Sequence, residues 1–143
     1  MSEKFVTKLS ERKCFTLSEN DTLKIASEKL QKHNIGGLPV LSTQDNSIIG
    51  IVSERDLARY IFNNEFKNDL PVAKIMSKNL ITCNLNTSVT DLMEIISNNK
   101  IRHIPIMEEK KLLGIVSIGD VINYIIDQYK EENQYLRDYI NKY

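Results

Sequence analysis

Two copies of one sequence pattern make up most of the chain, and this internal repeat limits the possible folds more than any other feature. The first copy contains Ile35–Val40 (IGGLPV) followed by Ile49–Ser53 (IGIVS), and the second contains Ile101–Ile106 (IRHIPI) followed by Leu113–Ser117 (LGIVS). Corresponding residues lie 66 positions apart in the first motif and 64 apart in the second. A repeat of this kind predicts two equivalent units that are stable only when they pack together.

The hydrophobic spacing changes in the same order within each copy. An extended segment (14–17 and 80–83) precedes a polar turn whose side chains suit a helix N-cap, and a helix and two strands follow. The predicted order in each copy is β-α-β-β-α. Apolar stripes indicate the first helices, at Leu23, Ala26 and Leu30 and at Val89, Leu92 and Ile96. The predicted strands are 38–41, 48–52, 104–107 and 112–116, and the second helices begin after Ser53 and Ser117.

These elements predict an α/β protein of the α+β type. A single β-α-β-β-α unit is too small to bury both faces of its sheet, so we expect the two repeats to pack about a pseudo-twofold axis. The predicted boundaries are 1–66 for the first repeat, 67–127 for the second and 128–143 for an extension of the last helix.

The composition argues against several classes of function. Nineteen basic residues balance 19 acidic ones, so no overall field draws the chain to nucleic acid or to an anionic membrane. The first ten residues hold no apolar run and no stretch approaches the length of a membrane span, which predicts a cytoplasmic protein. Cys14 and Cys83 form no CxxC pair, so we expect both to be packing residues.

The repeated motifs resemble the CBS domain, two of which form a Bateman module. The resemblance rests on hydrophobic-Pro-Val followed by Gly-hydrophobic-hydrophobic-Ser-x-x-Asp, which occurs at Gly50–Asp56 (GIVSERD) and Gly114–Asp120 (GIVSIGD). It covers about Val6 to Asp127, and the wording of these two motifs looks like that of the small stand-alone bacterial CBS pairs. The opening of the first copy departs from the family, with Leu9-Ser10 where the second copy has Ile75-Met76.

Two interpretations of Ser-x-x-Asp stay open at this point. Ser53 ends a strand and opens a helix, so its hydroxyl and the first-turn N–H groups can face a phosphate, and Asp56 can accept both hydroxyls of a ribose. The same spacing fits a capping box, in which the acid turns back onto the backbone. The occurrence of two copies in the same setting favours contact with a ligand in at least one site.

The resemblance implies two binding sites that each draw residues from both repeats. Site B is expected to contain Ser53, Arg55 and Asp56 with Thr82, Ile101, Arg102 and His103, and site A to contain Ser117 and Asp120 with Thr16, Ile35, Gly36 and Gly37. Arg102 and His103 would face phosphates in site B, whereas two glycines stand there in site A. We therefore predict tighter nucleotide binding at site B, and expect His33 only at the surface.

The C-terminal segment predicts an amphipathic helix that outruns the repeat. Residues 121–143 lack Gly and Pro, and apolar residues recur at helical spacing to Tyr143. Tyr135, Leu136, Tyr139 and Ile140 are expected to form an exposed apolar surface that a partner buries, and a second copy of the chain is the simplest partner. The alternative is that the tail packs back onto its own repeats.

The function expected from these features is a regulatory homodimer that senses an adenine nucleotide such as AMP, ADP, ATP or NAD(H), and that acts on an unknown partner protein. The alternative is a constitutive dimeric scaffold with vestigial sites. No nucleophile and base pair and no clustered metal ligands are evident, so neither an enzyme nor a catalytic cofactor is predicted.

Overall fold

The computed structural model describes residues 2–142, which form two repeats of similar structure and a long C-terminal helix. The elements in chain order are α1 (Ser2–Glu11), β1 (Leu17–Ser18), α2 (Leu23–His33), β2 (Gly37–Leu41), β3 (Ile48–Ser53), α3 (Glu54–Phe62), a 3-10 turn (Val72–Lys74), α4 (Val89–Asn99), β4 (His103–Glu108), β5 (Lys111–Ser117) and α5 (Ile118–Lys142). The predicted α+β architecture of two repeats is confirmed, and α1 is an addition that the repeat pattern did not indicate.

The strands of the two repeats pair in equivalent registers. Strand β2 pairs antiparallel with β3, β4 pairs antiparallel with β5, and both pairs are irregular at corresponding positions, after Val40 and after Ile106. The leading strand is shorter than predicted in both repeats. Strand β1 begins only at Leu17, and residues 80–83 contribute a single parallel bridge from Cys83. The second segment ends there because the chain turns, with the Asn84 N–H group donating to Oγ1 of Thr87 at 3.0 Å.

Polar side chains fix where the first helix of each repeat begins. The hydroxyl of Thr22 accepts from the N–H group of Ile25 at 3.2 Å, and the hydroxyl of Ser88 accepts from that of Asp91 at 3.0 Å. Both helices end at a residue in the left-handed region, Asn34 with φ 51° and Lys100 with φ 53°. The turn after each helix therefore delivers residues 35–37 and 101–103 to equivalent places.

The leading segment of each repeat packs into the core of the other repeat. Val72 and Ile75 are buried in the cluster of the first repeat, and Val6 is buried in the cluster of the second. Phe5 reaches the second cluster too, with its ring centroid 4.8 Å from that of Tyr124. The exchange joins the two repeats into one unit, because neither apolar core is complete without a segment from its neighbour.

The C-terminal segment is one continuous helix, as predicted. Val121 is buried and Tyr124 is half-buried against the second repeat, whereas residues 125–142 are all exposed. The alternative in which the tail packs back onto the repeats is therefore wrong for the described residues. Tyr143, the last member of the predicted stripe, lies outside them. None of the helices described is long and apolar enough to cross a membrane.

Candidate functional site

Site B is a cavity of about 290 Å³ between the two repeats. Of the residues predicted for site B, six line this cavity: Ser53, Arg55, Asp56, Ile101, Arg102 and His103. Thr82 does not line the cavity; its side chain is exposed, and its segment reaches the site through Leu80 and Ile81 instead. The structure therefore brings together side chains that lie about fifty residues apart in sequence.

The start of α3 forms a capping box. Oδ2 of Asp56 accepts from the N–H group of Ser53 at 2.8 Å and from its hydroxyl at 3.0 Å, while Oγ of Ser53 accepts from the N–H group of Asp56 at 3.2 Å. The N–H group of Glu54 donates to the Gly36 carbonyl at 2.9 Å. The first-turn N–H groups of Glu54 and Asp56 are therefore used within the chain, contrary to the expectation that the first-turn amides face a phosphate.

One oxygen of Asp56 remains available to a ligand. Oδ1 accepts from the guanidinium of Arg59 at 3.3 Å, and the Arg59 side chain is 61% exposed. A surface pair of this length contributes little and exchanges readily. The capping box and contact with a ligand are therefore compatible at Asp56, because they use different oxygens of one carboxylate.

Site A is a second cavity, of about 330 Å³, lined by Ile35, Gly36, Gly37, Ser117 and Asp120 among the predicted residues. Thr16 does not line it, and its carbonyl accepts from Nζ of Lys29 at 2.9 Å. The backbone of Thr16 is therefore engaged inside its own repeat. The segment reaches the cavity through Cys14 and Phe15 instead.

Arg12 donates to both carboxylate oxygens of Asp120 in site A. Its Nη1 donates to Oδ1 of Asp120 at 2.9 Å, and its Nη2 donates to Oδ2 at 2.6 Å and to the Ile115 carbonyl at 2.8 Å. Burial favours a raised pKa for Asp120, but the hydrogen bonds from Arg12 and Ser117 outweigh it and hold the pKa below its usual value. The motif carboxylate of site A is thus a charged, paired group.

His103 lies between the two sites and lines both cavities. Its imidazole packs on the backbone at Gly36 and Gly37, where a methyl group on Gly37 would lie 2.9 Å from Cγ of the ring. The space beside these two glycines is therefore occupied by the imidazole ring. Burial lowers the pKa of His103, the charge of Arg102 lowers it further, and the carboxylates of Glu54, Asp120 and Asp56 only partly compensate.

The remaining histidine and the two cysteines have packing roles. His33 stacks on Phe15, with ring centroids 3.5 Å apart and an interplanar angle of 14°, so the expectation of a plain surface residue was wrong. Burial raises the pKa of the Cys83 thiol to about 11 and also raises the pKa of Cys14. Both cysteines are therefore weak nucleophiles at neutral pH.

The CBS domain family model matches the chain twice, over residues 6–63 and 72–127. An uncharacterised 17.7 kDa protein in the bps2 3′ region of Acidianus ambivalens is 36% identical over 123 residues, which are 85% of this chain and 73% of that protein. The chain belongs to the CBS-domain family.

Solved CBS pairs have the same fold. The CBS domain pair of MJ0100, solved in complex with 5′-methylthioadenosine and S-adenosyl-L-methionine, has a TM-score of 0.78 and 23% identity, over 86% of this chain and 96% of that chain. PAE2072 from Pyrobaculum aerophilum, complexed with AMP, has a TM-score of 0.74 and 23% identity, over 83% of this chain and 88% of that chain. At this level of identity the likeness establishes the arrangement of the two CBS repeats.

The structure adds charged residues to site B that the CBS motifs did not indicate. Arg59 and Lys100 join Arg55 and Arg102, so four cationic side chains line a cavity that holds the carboxylates of Glu54 and Asp56. The sequence spacing could have indicated that Arg59 lies beside Asp56, since Arg59 follows it by one helical turn. Lys100 had a weaker signal, because its place depends on the left-handed turn that ends α4.

Proposed function

We propose that this CBS pair is a regulatory module that binds an adenine nucleotide in site B. The observation that carries the proposal is the charge of this cavity, which is lined by four cationic side chains from both repeats and by only two carboxylates, Glu54 and Asp56. A local excess of positive charge in an otherwise neutral chain indicates an anionic ligand. The AMP complex of the related fold supports the same class of ligand.

Each part of the nucleotide has a chemical counterpart in the cavity. Arg102 and Arg55 supply guanidinium groups for the phosphates, which a planar fork binds in a bidentate manner. Asp56 offers Oδ1, which it shares only with Arg59, to the ribose hydroxyls. Leu80, Ile81 and Ile101 form an apolar wall for the adenine ring. The cavity is near the lower limit of about 300 Å³ for small-molecule sites, which favours a mononucleotide over NAD(H).

Calorimetric titration of AMP, ADP, ATP, NAD(H) and S-adenosylmethionine tests the proposal. We expect AMP to bind the native chain and Arg102→Ala to weaken it by about tenfold or more, because a charge-assisted contact contributes roughly 1.5–3 kcal/mol. Arg137→Ala on the exposed part of α5 is the matched control and should leave the affinity unchanged. The scaffold alternative, with vestigial sites, predicts no heat with any of these ligands.

We propose further that the chain acts as a homodimer through α5. Ile122, Tyr129 and Leu136 lie seven residues apart on this helix and are 47%, 64% and 59% exposed, and Ile140 is 70% exposed. A regular apolar stripe of this length is typical of a helix that packs against another helix. The remaining predicted contact residues, Tyr135 and Tyr139, are 80% and 66% exposed.

The dimer proposal predicts that Leu136→Glu converts the chain to a monomer. A carboxylate in the middle of a buried apolar stripe would remain unpaired in the dimer, whereas it is solvated in the monomer. Light scattering after size exclusion measures the mass directly. Lys130→Glu, at an exposed charged position of the same helix, is the control. A native chain of monomeric mass would refute the proposal.

A regulatory module of this kind requires no catalytic activity of its own. Residues 2–142 contain no cluster of three His, Cys, Asp or Glu side chains that could hold a metal ion. We propose that the chain works in the cytoplasm and that nucleotide binding changes its affinity for a separate target protein. Such a change requires the two forms of the chain to differ in affinity for the nucleotide.

A further inference from the structure

Arg12 makes the two sites chemically different at corresponding positions. It follows α1 directly, and its guanidinium holds Asp120 in a bidentate pair with N–O distances of 2.9 and 2.6 Å. A third bond fixes it to the Ile115 carbonyl at 2.8 Å. The Asp120 side chain is 15% exposed, so the pair is shielded on the carboxylate side although the Arg12 side chain is 45% exposed.

The residue equivalent to Arg12 in the second repeat does not take this role. Lys78 occupies that position by the 66-residue offset, and its side chain is exposed. The carbonyl of Ile51, which corresponds to Ile115, accepts from the backbone N–H group of Ser77 at 2.9 Å. Among the described residues, Lys78 forms no ion pair with Asp56.

The difference begins in the leading segments. Residues 75–77 run along β3, where Ile51 and Ser77 form an antiparallel bridge. Helix α1 continues instead to Glu11 beside β5, where a Cβ atom at Gly114 would lie 3.5 Å from both the Leu9 carbonyl oxygen and Cα of Ser10. The chain therefore leaves α1 at the mouth of site A, and the anchored helix holds Arg12 there.

Resting on the function proposed for site B, we propose that Arg12 closes site A to nucleotides, so that each chain binds one nucleotide instead of two. The ribose of a ligand in site A would need Oδ1 of Asp120, because Oδ2 accepts from the N–H group of Ser117, and Arg12 already donates to Oδ1 at 2.9 Å as part of a bidentate pair. In site B the ribose competes only with Arg59, at 3.3 Å. Arg12 is thus a residue that determines which site is used.

Site A keeps the shape of a binding site behind this pair. Its cavity of about 330 Å³ is no smaller than that of site B, and Phe15, Ile35 and Gly114 contribute an apolar lining. Removal of the guanidinium would free Asp120 and the Ile115 carbonyl together. We therefore expect the variant to gain a weak second site.

The test counts AMP sites by calorimetry in the native chain, Arg12→Ala, Arg12→Gln and Lys78→Ala. One site per chain is expected for the native protein and for Lys78→Ala, and two for both Arg12 variants, with the new site at least tenfold weaker than the first. Adding Asp120→Ala to Arg12→Ala should return the count to one. Arg12→Gln retains most of the side-chain volume, and a melting curve for each variant confirms that it is folded.

The outcomes separate this inference from the function proposed for site B. If the native chain and the Arg12 variants all bind one AMP, the inference about Arg12 is overturned and the function proposed for site B is not. The same holds if the native chain binds two. A native chain with no site and an Arg12→Ala chain with one would uphold closure by Arg12 and reject site B. Absence of binding in every variant would reject both.

Discussion

Replacing Val6 by aspartate should destabilise the second repeat, although Val6 lies at the opposite end of the chain. Val6 is completely buried in the cluster that contains Leu92, Ile104 and Val116. A carboxylate there would be buried without a partner, so we expect the free energy of unfolding to fall by more than about 4 kcal/mol. Urea denaturation followed by circular dichroism measures the change.

Lys8→Asp is the matched control for Val6→Asp. It introduces the same residue two positions further along α1, where the side chain is exposed. The expected cost is small: about 0.3–1 kcal/mol for a negative charge in the last turn of a helix, together with the lower helix propensity of Asp. Equal losses for the two variants would show that α1 does not contribute to the core of the second repeat.

The repeat predicted the fold because the same physical pattern was present twice. Stripes such as Leu23, Ala26 and Leu30 turned out to be buried on one face of a helix, and the polar turns that were predicted to cap the helices supply hydroxyl caps at Thr22 and Ser88. The exchange of leading segments could not be predicted in this way. Val6 and Val72 correspond in sequence, but only the tertiary structure decides which core each one enters.

The sites were predictable where a motif fixes the backbone and less predictable where a long side chain decides the contact. The positions of Ser53 and Asp56 follow from the strand-to-helix turn. Arg12 lies outside both motifs, and it reaches Asp120 only because α1 ends beside β5. His103 was predicted for site B but also lies against Gly37, its counterpart in the first repeat, and lines site A as well.

Asp56→Ala should abolish most of the affinity for AMP, and Asp120→Ala should not. Both variants lose the same capping interaction at the start of a helix, which contributes about 0.5–2 kcal/mol to folding. Asp120→Ala also loses the bidentate pair with Arg12, so we expect it to be the less stable of the two variants. They differ in what the carboxylate can offer a ligand. Asp56 has an oxygen that faces site B and is shared only with Arg59, whereas both Asp120 oxygens are held by Arg12.

The loss expected for Asp56→Ala follows from the strength of its contact. A hydrogen bond from a ribose hydroxyl to a carboxylate contributes about 1.5–3 kcal/mol, which corresponds to a loss of affinity of roughly 10- to 150-fold. Asp120→Ala should change the affinity by less than about threefold, because site B contains no part of that side chain. Melting curves of both variants establish that the comparison is made between folded chains.

Titration of AMP into the native chain, Asp56→Ala and Asp120→Ala by calorimetry is the most direct test of a nucleotide held in site B. The structure predicts one binding event in the native chain, its loss in Asp56→Ala and its retention in Asp120→Ala. Binding that survives in Asp56→Ala and disappears in Asp120→Ala would contradict the account and place the nucleotide in site A.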